Sequence, residues 1–155
     1  MMKTYDINDV IEVLKTQESA AFLTSGASMT PLLRTHKDIV VIKKAVHPLN
    51  VGEVPLYKKA GVEKLILHRI IGKQPDGTYI TRGDNTYHKE YIPQDDVVGV
   101  MTAIYRGGKH IDCSSSKRYK FYVKWNRLCY PIRWLWKTKI RAALGAVKRK
   151  IIGRR

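Results

Sequence analysis

Hydrolysis of an amide needs a nucleophile, a base to take its proton and donors for the developing oxyanion. Residues 24–33, T-S-G-A-S-M-T-P-L-L, offer one hydroxyl set up for that task. Ser28 follows Gly26 and Ala27, which leave space around it, and Pro31 stiffens the exit of the loop. Five histidines are available as bases. His36 and His47 neighbour loop residues, and His88 and His110 lie in polar segments. His68 differs, because it is expected inside an apolar strand, L-I-L-H-R-I-I, where an imidazole can accept a proton near neutral pH. A base commonly needs a third group to orient it. Asp84 in R-G-D-N and Glu90 six residues later are the acids within range. Taken singly, each residue has an ordinary reading: a turn serine, a satisfied strand histidine, surface carboxylates. Cys113 and Cys129 stand sixteen apart with no Cys/His ligand spacing, so the expectation is reduced thiols, no metal and no cofactor.

The elements that must position these residues are mostly strands. A-A-F-L-T, D-I-V-V-I-K, V-P-L-Y, K-L-I-L-H-R-I-I-G, T-Y-I-T-R and D-V-V-G-V-M-T-A-I-Y are short, apolar and rich in β-branched residues. H-P-L-N-V-G, Q-P-D-G, R-G-D-N and R-G-G-K separate them as turns. Short strands with no helix between them predict an antiparallel sheet or partly open barrel. Before them, Ile7, Val10, Ile11 and Leu14 fall at i, i+3, i+4 and i+7, a short amphipathic helix with Asp6 as N-cap that covers one end of the core. No apolar run approaches the roughly 20 residues that span a bilayer, and the N-terminus lacks the apolar stretch of a signal peptide.

In order the chain reads G-A-S-M-T-P, D-I-V-V-I, G-E-V-P-L-Y-K, L-H-R-I-I, T-R-G-D-N and D-D-V-V-G. This resembles the type I signal peptidases, in particular the Ser–His branch of the endoplasmic reticulum, archaea and some spore-forming bacteria, within the superfamily that also holds the self-cleaving repressors. The resemblance runs from Ala21 to Met101, with serine and histidine 40 residues apart. It implies a mainly β endopeptidase fold, Ser28 as nucleophile and His68 as base where the common bacterial branch has lysine. It further implies that the Ser28 N–H contributes to the oxyanion hole, within the segment Gly26, Ala27, Ser28 and Met29. The family's acid falls seven residues after the glycine of the Gly-Asp-Asn box, a position held here by Glu90 where aspartate is usual. Asp84 matches the aspartate of the box itself, with a more structural role; Asp38, at the loop exit, reads as structural too. Gly26 stands where many members carry a serine that supplies a second oxyanion donor, which implies either a weaker oxyanion hole or one completed by Ser25 or another group. The implied substrate is a peptide or protein with small residues at positions −1 and −3 of the cut, bound as an added strand. A lysine base is disfavoured, since Lys64 lies about 13 Å from His68 along a strand at roughly 3.3 Å per residue.

Charge divides the chain. Of 155 residues with net charge +16, residues 1–112 carry 15 Lys+Arg and all 13 acids, while residues 113–155 carry 14 Lys+Arg and no acid. The expected organisation is therefore a peptidase-like domain at 1–112 and a basic, aromatic tail at 113–155, with S-S-S at 114–116 as linker. From Lys117 the period turns helical, and Pro131 is expected to split the tail into two helices. Ile132, Leu135, Trp136, Ala143, Leu144, Val147 and Ile151 would share one face, with Ile140 at its edge. Trp125, Trp134 and Trp136, with Lys137, Arg141 and Lys148, are the residue types that suit the headgroup region of an anionic bilayer. Peripheral attachment to a membrane, on its cytoplasmic side, is the expectation, and nucleic acid is the disfavoured partner. Two rivals stand beside the peptidase: a peptide-binding protein that has lost catalysis, suggested by Gly26 and Glu90, and a nucleic-acid binder working through the tail.

Overall fold

The structure is a computed structural model, and it describes residues 7–136. Asp6 and the tail positions Lys137, Ile140, Arg141, Ala143, Leu144, Val147, Lys148 and Ile151 lie outside the described residues. The chain divides into two compact units, residues 1–120 and residues 121–155.

The first unit is mainly antiparallel β. Helix α1 (Ile7–Thr16) is followed by β1 (Ser19–Leu23), β2 (Ile39–Lys44), β3 (Pro55–Lys59), β4 (Val62–Leu67), β5 (Arg69–Lys73), β6 (Tyr79–Arg82), β7 (Glu90–Ile92), β8 (Val97–Arg106) and β9 (Lys109–Asp112). One sheet runs in the order β1-β2-β8-β3-β4, with β9 also on β8; the second is β5-β6-β7. Every pairing is antiparallel. Alternation along β2 turns Val40 and Ile42 into the core. Beside them on β8, Ile104 stands opposite Val40 and Met101 opposite Ile42, and Ala103 of β8 with Leu56 and Tyr57 of β3 are buried as well. Helix α1 packs on this sheet, and Val10 and Leu14 are buried, as its apolar spacing requires. A second cluster, Leu49, Ile70 and Tyr79, fills the space beside β5 and β6.

The long apolar run at 64–72 is not one strand. Its first half pairs with β3, Leu67 opposite Leu56, while its second half pairs with β6, Arg69 opposite Arg82. The two halves have partners in different sheets, so the chain must turn between them, and His68 is the residue on which it turns. Two further strands were hidden in polar sequence. β7 has three residues and β9 follows the R-G-G-K turn as a hairpin on β8, with Ala103 opposite Asp112.

Helix α2 spans Lys117–Leu135 and passes through Pro131, with a π turn at Trp136. The expected split at Pro131 does not occur. An interior proline costs about 3 kcal/mol through one lost N–H and a crowded carbonyl, yet the helix runs unbroken across it. The serines at 114–116 are a capping structure rather than a slack linker. Asp112 Oδ1 accepts from the amides of Ser114 and Ser115 at 2.8 and 2.7 Å, and the Ser116 hydroxyl accepts from the Tyr119 amide at 3.2 Å. Both cysteines are free thiols.

Candidate active site

Ser28 lies in the loop between β1 and β2, and that loop is held from several sides. The Thr24 hydroxyl lies 2.9 Å from the carbonyls of both Arg34 and Asp38, which share its one proton, and its amide donates to Asp38 O at 3.0 Å. The Asp38 carboxylate is fully buried and accepts from Arg34 and from Arg106 of β8. Burial would raise its pKa, but the hydrogen bonds from Arg106 and Arg34 prevail and hold it well below the usual carboxylate range. Arg106 also reaches the carbonyl of Leu32. Met29, Leu32 and Leu33 sink into the core beneath the loop. Gly26 has φ +80°, the left-handed region, and open space where a side chain would stand. Its glycine is needed for backbone conformation, not for room.

The Gly-Asp-Asn segment follows β6 and does three separate jobs. Asn85 ties down the serine loop: its amide donates to Ser28 O at 2.7 Å, and its side-chain Nδ2 donates to Ala27 O at 3.2 Å. Asp84 forms a buried bidentate pair with Arg69, at 2.8 and 2.7 Å. Burial works against the guanidinium charge of Arg69, and Asp84 more than offsets it. Arg69 further donates to Gly52 O and to the Tyr119 hydroxyl. Gly83 is the point of closest approach. A Cβ built there would stand 2.7 Å from Ser28 O, 2.9 Å from Thr86 Oγ1 and 3.0 Å from His68 Nε2. His68 and the Ser28 backbone thus converge on the same small volume, which only a glycine leaves open.

The other side of the His68 ring meets Glu90. Nδ1 lies 2.8 Å from Glu90 Oε2 and 3.1 Å from the Tyr57 hydroxyl. Both His68 and Glu90 are largely buried, with side-chain exposures of 12% and 14%. Tyr57, fully buried on β3, donates to the same carboxylate oxygen and lies 3.2 Å from the Thr81 hydroxyl. Lys59 donates to the other oxygen, Oε1. Burial alone would raise the Glu90 pKa; hydrogen bonds from Lys59, Tyr57 and His68 outweigh it and hold the carboxyl down at about 2. Glu90 is then ionised at neutral pH and can only accept. The proton must sit on Nδ1 of a neutral His68, which leaves the Nε2 lone pair facing Gly83 and the Ser28 loop.

No family model matches the chain, and no curated protein matches it. The structure brings the Ser28 backbone, His68 and Glu90 together, with Gly26, Ala27 and Met29 in the serine loop. Asp84 is one residue from the same centre yet directed to Arg69, so Glu90 is the carboxylate that orients His68. Among the described residues the Ser28 amide donates to no carbonyl or side chain, which leaves it available to an oxyanion. No cluster of three metal-ligating side chains occurs among the described residues. His47 is occupied elsewhere, 2.9 Å from the Tyr79 hydroxyl, and His110 packs on Tyr105. Burial pushes the Cys113 thiol up to about 11, so it stays protonated and is a poor nucleophile.

Three contributors were not singled out from sequence: Tyr57, Lys59 and Asn85. Tyr57 and Lys59 both reach Glu90 from β3, across an irregularity in its pairing with β4. That relation carries no signal until the pairing of β3 and the place of β7 are known. Asn85 stood inside a recognised motif but without an assigned task. In the tail, Trp125, Trp134 and Trp136 are all exposed, Trp134 on another side from Trp125; Lys137, Arg141 and Lys148 lie outside the described residues.

Proposed function

We propose that the protein is a serine endopeptidase of the signal-peptidase type, with Ser28 as nucleophile, His68 as base and Glu90 as the orienting carboxylate. The observation that carries this reading is the two-sided placement of the His68 ring. Nδ1 is fixed on an ionised Glu90, while Nε2 and the Ser28 carbonyl both lie within 3.0 Å of a Cβ position at Gly83. That is the geometry by which a carboxylate selects a tautomer and readies the opposite nitrogen. The ordered motif pattern of the sequence supports it from an independent side.

In this reading the proton of the Ser28 hydroxyl passes to His68 Nε2 as Oγ bonds to the scissile carbonyl carbon. The oxyanion is received by the Ser28 N–H, and Glu90 steadies the imidazolium. Collapse breaks the C–N bond, and His68 returns the proton to the leaving amine. Water then hydrolyses the ester by the same path in reverse. Substrates are extended peptides with small residues at positions −1 and −3, bound as an added strand.

The expected result for His68→Ala is loss of cleavage of Ala-x-Ala peptides with the thermal transition retained. Activity that survives this substitution would remove His68 as base. A peptide-binding protein without turnover is the second reading. Gly26 favours it, because this position brings no side-chain donor to the oxyanion and leaves the hole with one fewer donor.

A further inference from the structure

Helix α2 carries a surface that peptide hydrolysis does not use. Phe121, Trp125, Leu128 and Ile132 follow one another at spacings of four, three and four, and Leu135 and Trp136 continue the series. At 3.6 residues per turn these side chains share one face. All six are exposed, Leu128 at 72%, Ile132 at 68% and Phe121 at 66%. A row of large apolar side chains this open marks an interaction surface. The Phe121 and Trp125 rings stack at 6.3 Å, which makes the first part of the row a single aromatic plate. Away from this face, Asn126 is buried and bonds within the helix to Tyr122 and Arg133. Lys124 and Arg127 are exposed to the sides of the row.

We propose that this face of α2 docks on an anionic lipid bilayer, with Phe121, Trp125, Leu128 and Ile132 entering the boundary of headgroups and acyl chains. Charge selects the occupant. Residues 113–155 hold 14 Lys+Arg and no acid, so every charge beside the apolar row is positive. A second copy of the helix would bring the same positive charge against itself. Nucleic acid binds through cations on the contacting face, and here that face is aliphatic at Leu128 and Ile132, which cannot stack on bases. An anionic bilayer satisfies both features at once: acyl chains for the row, lipid phosphates for the lysine and arginine at its sides. No helix among the described residues is long and apolar enough to cross a membrane, so α2 lies on the surface. The proposal is independent of the peptidase reading.

The test uses the full chain and vesicles of phosphatidylcholine, with or without about one part in four of phosphatidylglycerol. Flotation measures binding. The three tryptophans are Trp125, Trp134 and Trp136, so tryptophan emission reports on this segment alone. The expected result is flotation with the anionic vesicles, a blue shift of emission, and weakening by salt. Leu128→Ser combined with Ile132→Ser should weaken vesicle binding at least roughly tenfold, with an unchanged unfolding midpoint because both positions are exposed. Failure of the wild type to float would overturn the proposal, as would a double variant that floats equally well. Wild-type self-association that the double variant abolishes, without vesicle binding, would assign the face to a second copy. A nucleic-acid mobility shift without flotation would assign the helix to nucleic acid.

Discussion

Glu90 is the residue on which the candidate site turns. Its two oxygens are divided between Lys59 on one side and Tyr57 with His68 on the other. Removing the charge while keeping the shape should remove the tautomer preference of His68. Glu90→Gln is therefore expected to lower kcat/KM by roughly 10⁴-fold, the loss that replacing an orienting carboxylate by its amide gives in a serine triad. Measurement against an Ala-x-Ala peptide checks it. The same residue has a pH signature in stability. Its carboxyl is depressed from an ordinary 4.5 to about 2, so the folded state favours the ionised form. The stability this contributes is fully present above about pH 4.5 and is lost as pH falls toward about 2. Thermal midpoints of wild type and Glu90→Gln should differ most near neutrality and converge across that window. Gly83 supplies a steric counterpart. The Cβ of Gly83→Ala would meet the Ser28 carbonyl at 2.7 Å, a backbone atom that cannot turn aside. The loop must shift, and activity should fall by about two orders of magnitude or more, as a misplacement near 1 Å can cause.

At the scale of elements, the site depends on where strands end. β4 and β5 belong to different sheets, and the turn between them aims His68 between Gly83 and Glu90. The sequence shows the apolar run but not this break, because pairing partners far along the chain decide it. β7 is three residues long and bears Glu90 at its first position; so short a strand has no periodicity to detect. By contrast β2 and β8 were legible, since β-branched runs of this length have few alternatives to a buried strand. Helix α2 runs through Pro131 although a proline there is locally unfavourable. Two ion pairs brace the elements. Arg69 and Asp84 are exposed by only 6% and 3% at the side chain. Asp84→Ala should leave the Arg69 charge buried without its carboxylate and cost about 3–5 kcal/mol, measured by urea unfolding. The Asp38 cluster does the same for the serine loop, tying it to β8 through Arg106.

For the whole molecule, charge and chemistry are partitioned along the chain. All 13 acids lie in residues 1–112, together with every residue of the candidate site, while residues 113–155 carry only positive charge. That partition needs nothing but counting, and so it was fully legible. The serine and histidine were legible through the order of motifs rather than through their surroundings, and the choice between Asp84 and Glu90 was not. It follows from which carboxylate Arg69 takes, a contact fixed only when β5 and β6 are paired. The central claim is that Ser28 is a nucleophile. It is tested most directly by incubating the protein and its Ser28→Ala variant with a peptide mixture rich in Ala-x-Ala sites, with products read by mass spectrometry. The expected result is cleavage after small residues by the wild type and none by the variant; identical product sets from the two proteins would contradict it.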